Sequence, residues 1–235
     1  MSTLYILATP IGNLEDITLR AVRILKEVDF IICEDTRVTS KLLAHFEIQK
    51  PLVSHFQHST DRKTEDIIER LRLGQNAALV TDAGTPGISD PGGMLVKRIY
   101  EKLGDEIKII PIPGPSAVIA ALSISGLPSD AFLFLGFPPH KKGRQTFWKT
   151  VAACEETVVF YESPHRILKS LTELRAVLQE SPRRAVVCRE LTKMFESVYR
   201  GDTDSILELV QKDPQKGEYA VVVGPKDHKI LNPKS

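Results

Sequence analysis

The sequence predicts an α/β protein built from two α/β domains in series. Apolar runs of strand length recur along its 235 residues, and segments with the spacing of amphipathic helices lie between them. This alternation is typical of βα units. The runs fall into two series, separated near Gly126-Leu127-Pro128. We therefore expect an N-terminal domain over residues 1–126, a C-terminal domain over residues 127–225 and a polar tail over residues 226–235.

The first domain has four predicted strands, at residues 4–8, 30–33, 77–80 and 107–112. Their near-continuous apolar character indicates parallel strands in a sheet that is covered on both faces. Apolar residues 17, 21, 24, 25 and 28 share one face of a predicted helix. Thr64 is the predicted N-cap of another helix, and residues 113–116 open an apolar helix that ends near Gly126.

The second domain has predicted strands at residues 132–136, 157–161, 185–188 and 219–223. Its clearest helix spans residues 163–180, where Leu171, Leu174 and Leu178 belong to the buried stripe. Ser163 and Pro164 are predicted at the N-cap and the first helical position of that helix.

The overall composition is that of a soluble globular protein. Apolar residues make up 42% of the chain and charged residues 26%. A formal net charge of +1 creates no global basic field, so a nucleic acid would have to be held by a local patch. No apolar stretch is long enough to span a bilayer and no basic leader opens the sequence, so we expect a cytoplasmic location.

Cysteine usage indicates neither a zinc site nor a redox site. The three cysteines, Cys33, Cys154 and Cys188, lie far apart and none belongs to a CxxC pair. Cys33 and Cys188 lie in apolar runs and are predicted core residues. The sequence predicts no metal site.

The densest turn chemistry lies at residues 82–93, directly behind the third predicted strand. This segment holds four glycines and two prolines. Glycine admits a close approach to the backbone and proline stiffens the chain, so we expect a rigid ligand-binding loop. Loops after the other strands would meet it, because the carboxyl ends of parallel strands form the ligand crevice. Within the loop, residues 90–93 are expected to start the next helix.

Two phosphate-binding motifs are absent from the sequence. A dinucleotide site needs GxGxxG after the first strand, where residues 9–14 offer a single glycine, and no GxxxxGK[ST] string occurs. These absences argue against a nicotinamide cofactor and against nucleoside triphosphate hydrolysis.

Five ordered motifs resemble those of the tetrapyrrole methylase superfamily, and within it the branch that methylates ribosomal RNA. They read ATPIGNL at 8–14, CEDTR at 33–37, DAGTPGISDPG at 82–92, PGPSA at 113–117 and ESPHR at 162–166. The resemblance covers the chain from Leu4 to about Gly224. It implies two α/β domains of the tetrapyrrole methylase type, with S-adenosylmethionine in a cleft between them, and a homodimer. It also implies methylation of the ribose 2′-hydroxyl of a cytidine in the decoding centre of small-subunit (16S) ribosomal RNA.

The family's cofactor contacts are carried over motif by motif. They fall on Thr9, Pro10, Gly84, Thr85, Pro86, Ile88, Ser116, Ala117, Tyr161, Leu191 and Ala220. S-adenosylmethionine has no phosphates, so backbone groups and an apolar slot suffice to hold it. Longer members carry an additional small C-terminal domain, whereas this sequence ends at Ser235. We therefore expect RNA contacts to depend more on the dimer surface and on the chain's own basic residues.

A ribose hydroxyl is a poor nucleophile until it loses its proton, so a general base would help. The candidates are Asp35, Glu162 and His165. A histidine suits this task at neutral pH, but His165 could equally cap the helix that follows. The carboxylates could instead pair with Arg37 and Arg166, which are also candidate substrate contacts. We hypothesise that this polar set orients the ribose and receives its proton.

The densest basic run predicts the RNA contact. It contains Lys141, Lys142 and Arg144, adjoins Phe137 and lies near Trp148. Such a cluster can neutralise a few phosphates, and an exposed aromatic residue can stack on a base. The alternative interpretation is the solvated start of a helix.

Three other functions are weighed. The same fold could methylate another acceptor, such as a tetrapyrrole precursor, although the strings at 33–37 and 162–166 favour the RNA branch. A noncatalytic binding module could keep the cleft without turnover, but its polar motifs are intact. A small-molecule oxidoreductase is disfavoured by the missing dinucleotide motif.

Overall fold

A computed structural model describes residues 1–56 and 60–226 of the chain. These residues form two compact units, Met1–Ser116 and a second that begins at Ala117. The division falls ten residues before the predicted boundary at residue 126, because the helix at Ala117–Ser125 packs against strands of the second sheet. Apart from Lys226, the predicted polar tail lies outside the described residues.

The first unit contains a five-stranded, all-parallel sheet. Its strands are β1 (Ser2–Leu7), β2 (Phe30–Cys33), β3 (Leu52–Ser54), β4 (Ala77–Leu79) and β5 (Ile107–Ile112). The order across the sheet is β3-β2-β4-β1-β5. Four helices connect them: α1 (Leu19–Glu27), α2 (Thr36–His45), α3 (Asp61–Arg72) and α4 (Gly92–Leu103). Two apolar clusters pack on the sheet, so the predicted parallel sheet with two covered faces is confirmed.

The N-terminal caps of α1 and α3 differ in how well the sequence predicts them. Thr18 caps α1, since its Oγ1 accepts from the Ala21 N–H at 3.1 Å. The prediction that Thr64 caps α3 is wrong, because the helix already begins at Asp61 after Thr60. Thr64 instead faces the interior, with its Oγ1 3.2 Å from the Nε2 of His55.

The second unit contains a five-stranded mixed sheet. Its strands are β6 (Phe132–Phe134), β7 (Thr157–Glu162), β8 (Arg184–Arg189), β9 (Ser197–Asp202) and β10 (Tyr219–Val223). The order is β6-β7-β10-β8-β9, in which β6 and β7 are parallel and the other pairs are antiparallel. The helices are α5 (Ala117–Ser125), α6 (Arg144–Ala153), α7 (Ile167–Val177) and α8 (Thr203–Lys212).

The two faces of the second sheet are covered by different helices. One apolar cluster joins one face to α6, α7 and α8, and α5 packs against β7 and β10. The predicted start of α7 at Ser163 is wrong, because residues 163–166 form a turn and the helix begins at Ile167. Among the residues that the structure describes, no helix is both long and apolar enough to span a membrane.

Candidate active site

The loops that follow β1 and β4 are bonded to each other at the carboxyl edge of the first sheet. The Thr9 N–H donates to the Gly84 carbonyl at 2.9 Å, and the Gly84 N–H donates to the Thr9 carbonyl at 3.1 Å. The buried Thr9 hydroxyl also donates to the Thr81 carbonyl at 3.0 Å. Pro10 and Pro86, beside these bonds, are buried as well. The structure therefore brings the first two predicted cofactor segments together.

The loop after β5 joins the same assembly. The Thr85 hydroxyl donates to the Pro115 carbonyl at 3.1 Å. A Cβ on Gly114 would lie 3.0 Å from the Cβ of Ala8, so the two loops approach closely and need glycine there. Ser116 ends this loop and Ala117 begins α5. Three strand-end loops thus form one rigid group of mostly backbone atoms.

Residues 84–92 contain a turn at Gly84 and, from Asp90, the start of helix α4. Gly84 has a φ of +85°, a conformation that glycine adopts without strain. The Asp90 carboxylate accepts from the Gly87 N–H at 2.8 Å and from the Gly92 N–H at 2.6 Å, directly before α4. The expectation that residues 90–93 start a helix is confirmed, and Ile88 is left exposed.

Asp35 and Arg37 form an exposed ion pair at the carboxyl end of β2. The Asp35 side chain caps α2 by accepting from the Arg37 N–H at 2.8 Å, and the Arg37 Nη2 lies 2.6 Å from its carboxylate. These hydrogen bonds lower the pKa of Asp35 to about 2. A carboxylate with so low a pKa is a weak proton acceptor, and the structure favours the ion-pair interpretation.

Two neighbouring carboxylates, Glu34 and Asp82, have pKa values that are raised, whereas that of Asp35 is lowered. Burial raises the pKa of Glu34, and the charges of Asp82 and Asp90 raise it further. Burial also raises the pKa of Asp82, whose Oδ1 accepts from the Asp35 N–H at 3.2 Å. The sequence analysis assigned neither a role, although both follow strands as Asp35 does. Within the described residues no group of three or more His, Cys, Asp or Glu side chains could hold a metal ion.

In the second unit, Tyr161 and Ala220 lie opposite each other on β7 and β10. Directly opposed residues of an antiparallel pair face the same side of a sheet. Tyr161 is hydrogen-bonded to the backbone of Val118 in α5, and burial raises its pKa to about 12. Leu191 follows β8, which pairs with β10, and lies between two residues of positive φ, Glu190 at 51° and Thr192 at 67°. These predicted cofactor residues therefore cluster at one end of the second sheet.

Glu162 faces the opposite side of that sheet from Tyr161, because successive strand residues alternate. Its side chain is fully buried and its Oε1 lies 2.7 Å from the Arg166 Nη2. The same carboxylate accepts from the Ser163 N–H at 2.8 Å and from the Ser170 hydroxyl at 2.5 Å. Because both oxygens are engaged, the structure favours the alternative in which Glu162 pairs with Arg166, and its role as a general base stays a prediction.

The basic run divides into buried and exposed members. Arg144 is only 6% exposed, and its guanidinium donates to Glu173 at 2.7 Å, Ser170 at 2.7 Å and the Pro139 carbonyl at 3.0 Å. Burial and these three hydrogen bonds favour a structural role for Arg144 over the predicted phosphate contact. Trp148 is also buried, and its Nε1 donates to Glu173 at 2.6 Å, so it cannot stack on a base.

The remaining predicted residues divide in the same way. Arg166 is turned inward, where it donates to Glu162, to the Ser163 hydroxyl and to the Pro138 carbonyl. Lys141 and Lys142 are exposed in the loop before α6. His165 is exposed in the turn before α7. Of the candidate bases, only His165 is outside the arginine pairs in the described chain.

The comparisons with known proteins agree with this architecture. A family model described as Tetrapyrrole (Corrin/Porphyrin) Methylases matches residues 3–207. Two relatives, from Escherichia coli O157:H7 and Xylella fastidiosa, are each named ribosomal RNA small subunit methyltransferase I. The first is 48% identical and aligns over 94% of this chain and 77% of its own length. The second is 50% identical, over 94% of this chain and 81% of its own.

Solved structures share the fold at low sequence identity. Diphthine synthase superimposes with a TM-score of 0.71 at 18% identity, covering 95% of this chain and 90% of its own. Uroporphyrin-III C-methyltransferase from Thermus thermophilus, complexed with S-adenyl homocysteine, gives a TM-score of 0.64 at 18% identity, covering 94% and 97%. The family model, the relatives and the shared fold lead to one conclusion: the chain belongs to the tetrapyrrole (corrin/porphyrin) methylase family.

Proposed function

We propose that this chain is an S-adenosylmethionine-dependent methyltransferase of small-subunit ribosomal RNA, and that its acceptor is the ribose 2′-hydroxyl of a cytidine in the decoding centre. Relatives of 43–50% identity that carry the name ribosomal RNA small subunit methyltransferase I support the RNA substrate. The observation that carries the proposal is the group of three interlocked loops at the carboxyl edge of the first sheet, which offers backbone atoms and contains no basic residue.

The chemistry of these loops fits the proposed cofactor. Thr9, Pro10, Gly84, Thr85, Pro86, Ile88 and Ser116 are all uncharged. Beside them lie the carboxylates of Glu34, Asp35, Asp82 and Asp90. Arg37 neutralises Asp35, and the other three carboxylates disfavour phosphate and suit a ligand with a positive charge, as the sulfonium of S-adenosylmethionine has. When bound, S-adenosylmethionine supplies a methyl group that the sulfonium has already activated.

The chain's own residues have two tasks in this reaction. They must hold the ribose oxygen in line with the methyl group, since placement supplies much of the rate. They must also receive the hydroxyl proton as the new C–O bond forms. His165 is the proposed acceptor, because it is exposed while Asp35 and Glu162 are bound to arginines. Ala117, Tyr161, Leu191 and Ala220 stay predicted cofactor contacts, and the cytoplasmic homodimer stays a prediction.

A matched glycine pair tests the cofactor loop. Gly84 and Gly74 both have a positive φ, of +85° and +91°, so alanine strains the backbone similarly at each. Gly74 lies in the turn after α3, away from the proposed site. We expect Gly84→Ala to weaken S-adenosylmethionine binding in calorimetry at least tenfold, and Gly74→Ala to leave it unchanged. Equal affinities for both variants would contradict the assignment.

Salt titration tests the RNA contact. Lys141→Ala with Lys142→Ala should reduce the slope of log K against log salt by about 1.4, the value for two lost contacts to single-stranded RNA. An exposed lysine on α4, Lys97, supplies the control substitution. An unaltered slope in the double variant would remove these lysines from the interface.

The substrate is tested in cells. Ribosomal RNA from a strain without this protein should lack one 2′-O-methyl mark, on a cytidine of the decoding centre, and the wild-type gene should restore it. Retention of every mark would contradict the proposed substrate.

A further inference from the structure

The loop at residues 137–143 connects β6 to α6 and lies at the carboxyl end of β7, to which the bordering Gly136 is hydrogen-bonded. Gly136 and Gly143 border it with φ values of 64° and 87°, which glycine tolerates. The Tyr161 N–H donates to the Gly136 carbonyl at 2.9 Å, and Gly143 immediately precedes α6. Both ends of the loop are therefore fixed.

Two inward-facing arginines, the buried Arg144 and the partly buried Arg166, hold the middle of this loop. Arg166 donates to the Pro138 carbonyl at 2.8 Å, and Arg144 donates to the Pro139 carbonyl at 3.0 Å. The Ser170 hydroxyl links them, since it donates to Glu162 and accepts from the Arg144 Nη2 at 2.7 Å. A continuous polar network thus runs from one proline carbonyl to the other. Its members are Arg166, Glu162, Ser170, Arg144 and Glu173.

Phe137 is the aromatic residue that this loop presents to solvent. The residue is 49% exposed, and its ring centroid lies 5.5 Å from that of Tyr161 at an interplanar angle of 59°. The network lies on the face of the sheet that carries Glu162, whereas Tyr161 faces the other side. The loop is therefore bonded to the buried network through Pro138 and Pro139 and contacts a predicted cofactor residue, Tyr161, through Phe137. Lys141 and Lys142 are exposed in the same loop.

We propose that Phe137 is the stacking surface for an unpaired nucleobase of the RNA substrate, and that Glu162, Ser170, Arg144 and Arg166 are positioning residues that fix it. This inference rests on the proposed function. A half-exposed phenylalanine next to solvated lysines combines the two chemistries that single-stranded RNA needs, namely a π-face for a base and cations for its phosphates. The buried network removes the entropy that a mobile loop would lose on binding.

The first experiment compares Phe137→Ala with the stacking-competent Phe137→Trp, and uses Phe195→Ala as control because Phe195 is an exposed phenylalanine in another loop. Loss of one stacked base weakens binding about 5- to 150-fold. We expect a rise of that order in the KM for small-subunit RNA in Phe137→Ala. Phe137→Trp and Phe195→Ala should stay near wild type, and all three should bind S-adenosylmethionine normally.

The second experiment tests the positioning residues through a double-mutant cycle. Ser170→Ala removes the central hydroxyl and keeps every charge, so it is more conservative than a change at Glu162. It should raise the KM for RNA in the wild-type background and have no further effect in Phe137→Ala, since both act through the same ring. The fluorescence of Trp148, the chain's one tryptophan, should shift in Ser170→Ala because the indole shares Glu173 with Arg144.

Each outcome separates this inference from the proposed function. If the wild-type protein transfers no methyl group to the RNA, the proposed function fails. If the wild type is active and Phe137→Ala keeps the wild-type KM, the stacking role is wrong. A loss of cofactor affinity in Phe137→Ala, with the RNA KM unchanged, would make Phe137 a support for Tyr161 instead. Additive effects in the cycle would overturn the positioning role.

Discussion

Two arginine–carboxylate pairs, one in each unit, look alike in sequence and differ in the structure. Asp35 and Arg37 lie at the end of β2, and Glu162 and Arg166 at the end of β7; their closest N–O distances are 2.6 and 2.7 Å. In the first pair the arginine is 87% exposed and the carboxylate 27%. In the second the arginine is 17% exposed and the carboxylate 0%.

The difference shows that burial and the number of partners decide what a pair does. An exposed pair gains little, because water screens the charges and two side chains lose freedom. A buried pair needs hydrogen bonds to both carboxylate oxygens, and Glu162 receives them from Arg166, Ser163 and Ser170. The Asp35–Arg37 pair stays accessible to solvent at the edge of the first sheet, whereas the Glu162–Arg166 pair belongs to the buried polar network of the second unit.

The largest expected effect comes from breaking the buried pair. Glu162→Gln leaves the Arg166 charge buried without its counter-ion, so the free energy of unfolding should fall by about 3–5 kcal/mol. Chemical denaturation measures the loss, and Glu180→Gln at an exposed site is the control. A change below about 1 kcal/mol would contradict the distinction between the pairs.

The next effect comes from the hydroxyl between Glu162 and Arg144. Ser170→Ala leaves a buried oxygen and a guanidinium nitrogen without their partner, which should cost about 1–3 kcal/mol of unfolding free energy. Ser123→Ala is the matched control, since Ser123 is exposed on α5 and donates to its own helix at 2.8 Å. Equal losses in the two variants would show that the network contributes no more than a surface hydroxyl.

The contribution of the exposed Asp35–Arg37 pair to stability should depend on pH. The folded pKa of Asp35, about 2, lies below the unfolded value of about 3.9. Ionised Asp35 therefore stabilises the fold above pH 4, and this stabilisation disappears as the pH falls from about 4 to about 2. We expect Asp35→Asn to lower the Tm at neutral pH, and the difference from wild type to narrow through that window. A difference that does not vary with pH would contradict the assignment, and Asp130→Asn is the exposed control.

The substitution with the smallest expected effect, Glu34→Gln, should increase stability, whereas the substitutions above decrease it. Burial and neighbouring carboxylates raise the pKa of Glu34, so its ionised form opposes folding at neutral pH. Glu34→Gln should therefore raise the stability at pH 7. The gain should vanish below about pH 4.3, where the unfolded glutamate is protonated as well. Thermal unfolding of Glu34→Gln and wild type at both pH values measures it, and a lower Tm at pH 7 would contradict the account.

Apolar strands were predictable from sequence, and polar strands were not. The four predicted strands of the first sheet appear in the structure within one or two residues, because their side chains are almost entirely apolar. The sequence analysis missed β3 and β9, which are edge strands with half-exposed or polar residues. The antiparallel pairing of β8, β9 and β10 depends on contacts between distant residues, which no local pattern encodes.

At the site, residue types were predictable and side-chain directions were only partly so. The interlocking of Thr9 with Gly84 follows from turn residues at neighbouring strand ends. The burial of Arg144 did have a signal, since Arg144, Phe147, Trp148 and Val151 share the spacing of one helix face. The sequence analysis grouped Arg144 with two lysines by charge and overlooked that spacing. Phe137 and Trp148 both lie near the basic run in sequence, and tertiary contacts decide which of them is exposed: Trp148 is buried against Glu173, whereas Phe137 is 49% exposed.

The central claim is methyl transfer to RNA, and one measurement tests it most directly. Purified protein is incubated with isotope-labelled S-adenosylmethionine and small ribosomal subunits that lack the mark, and the RNA is digested to nucleosides. The account predicts label on the 2′-oxygen of a single cytidine. RNA that stays unlabelled with a protein that binds the cofactor, or label on a base instead of the ribose, would contradict it.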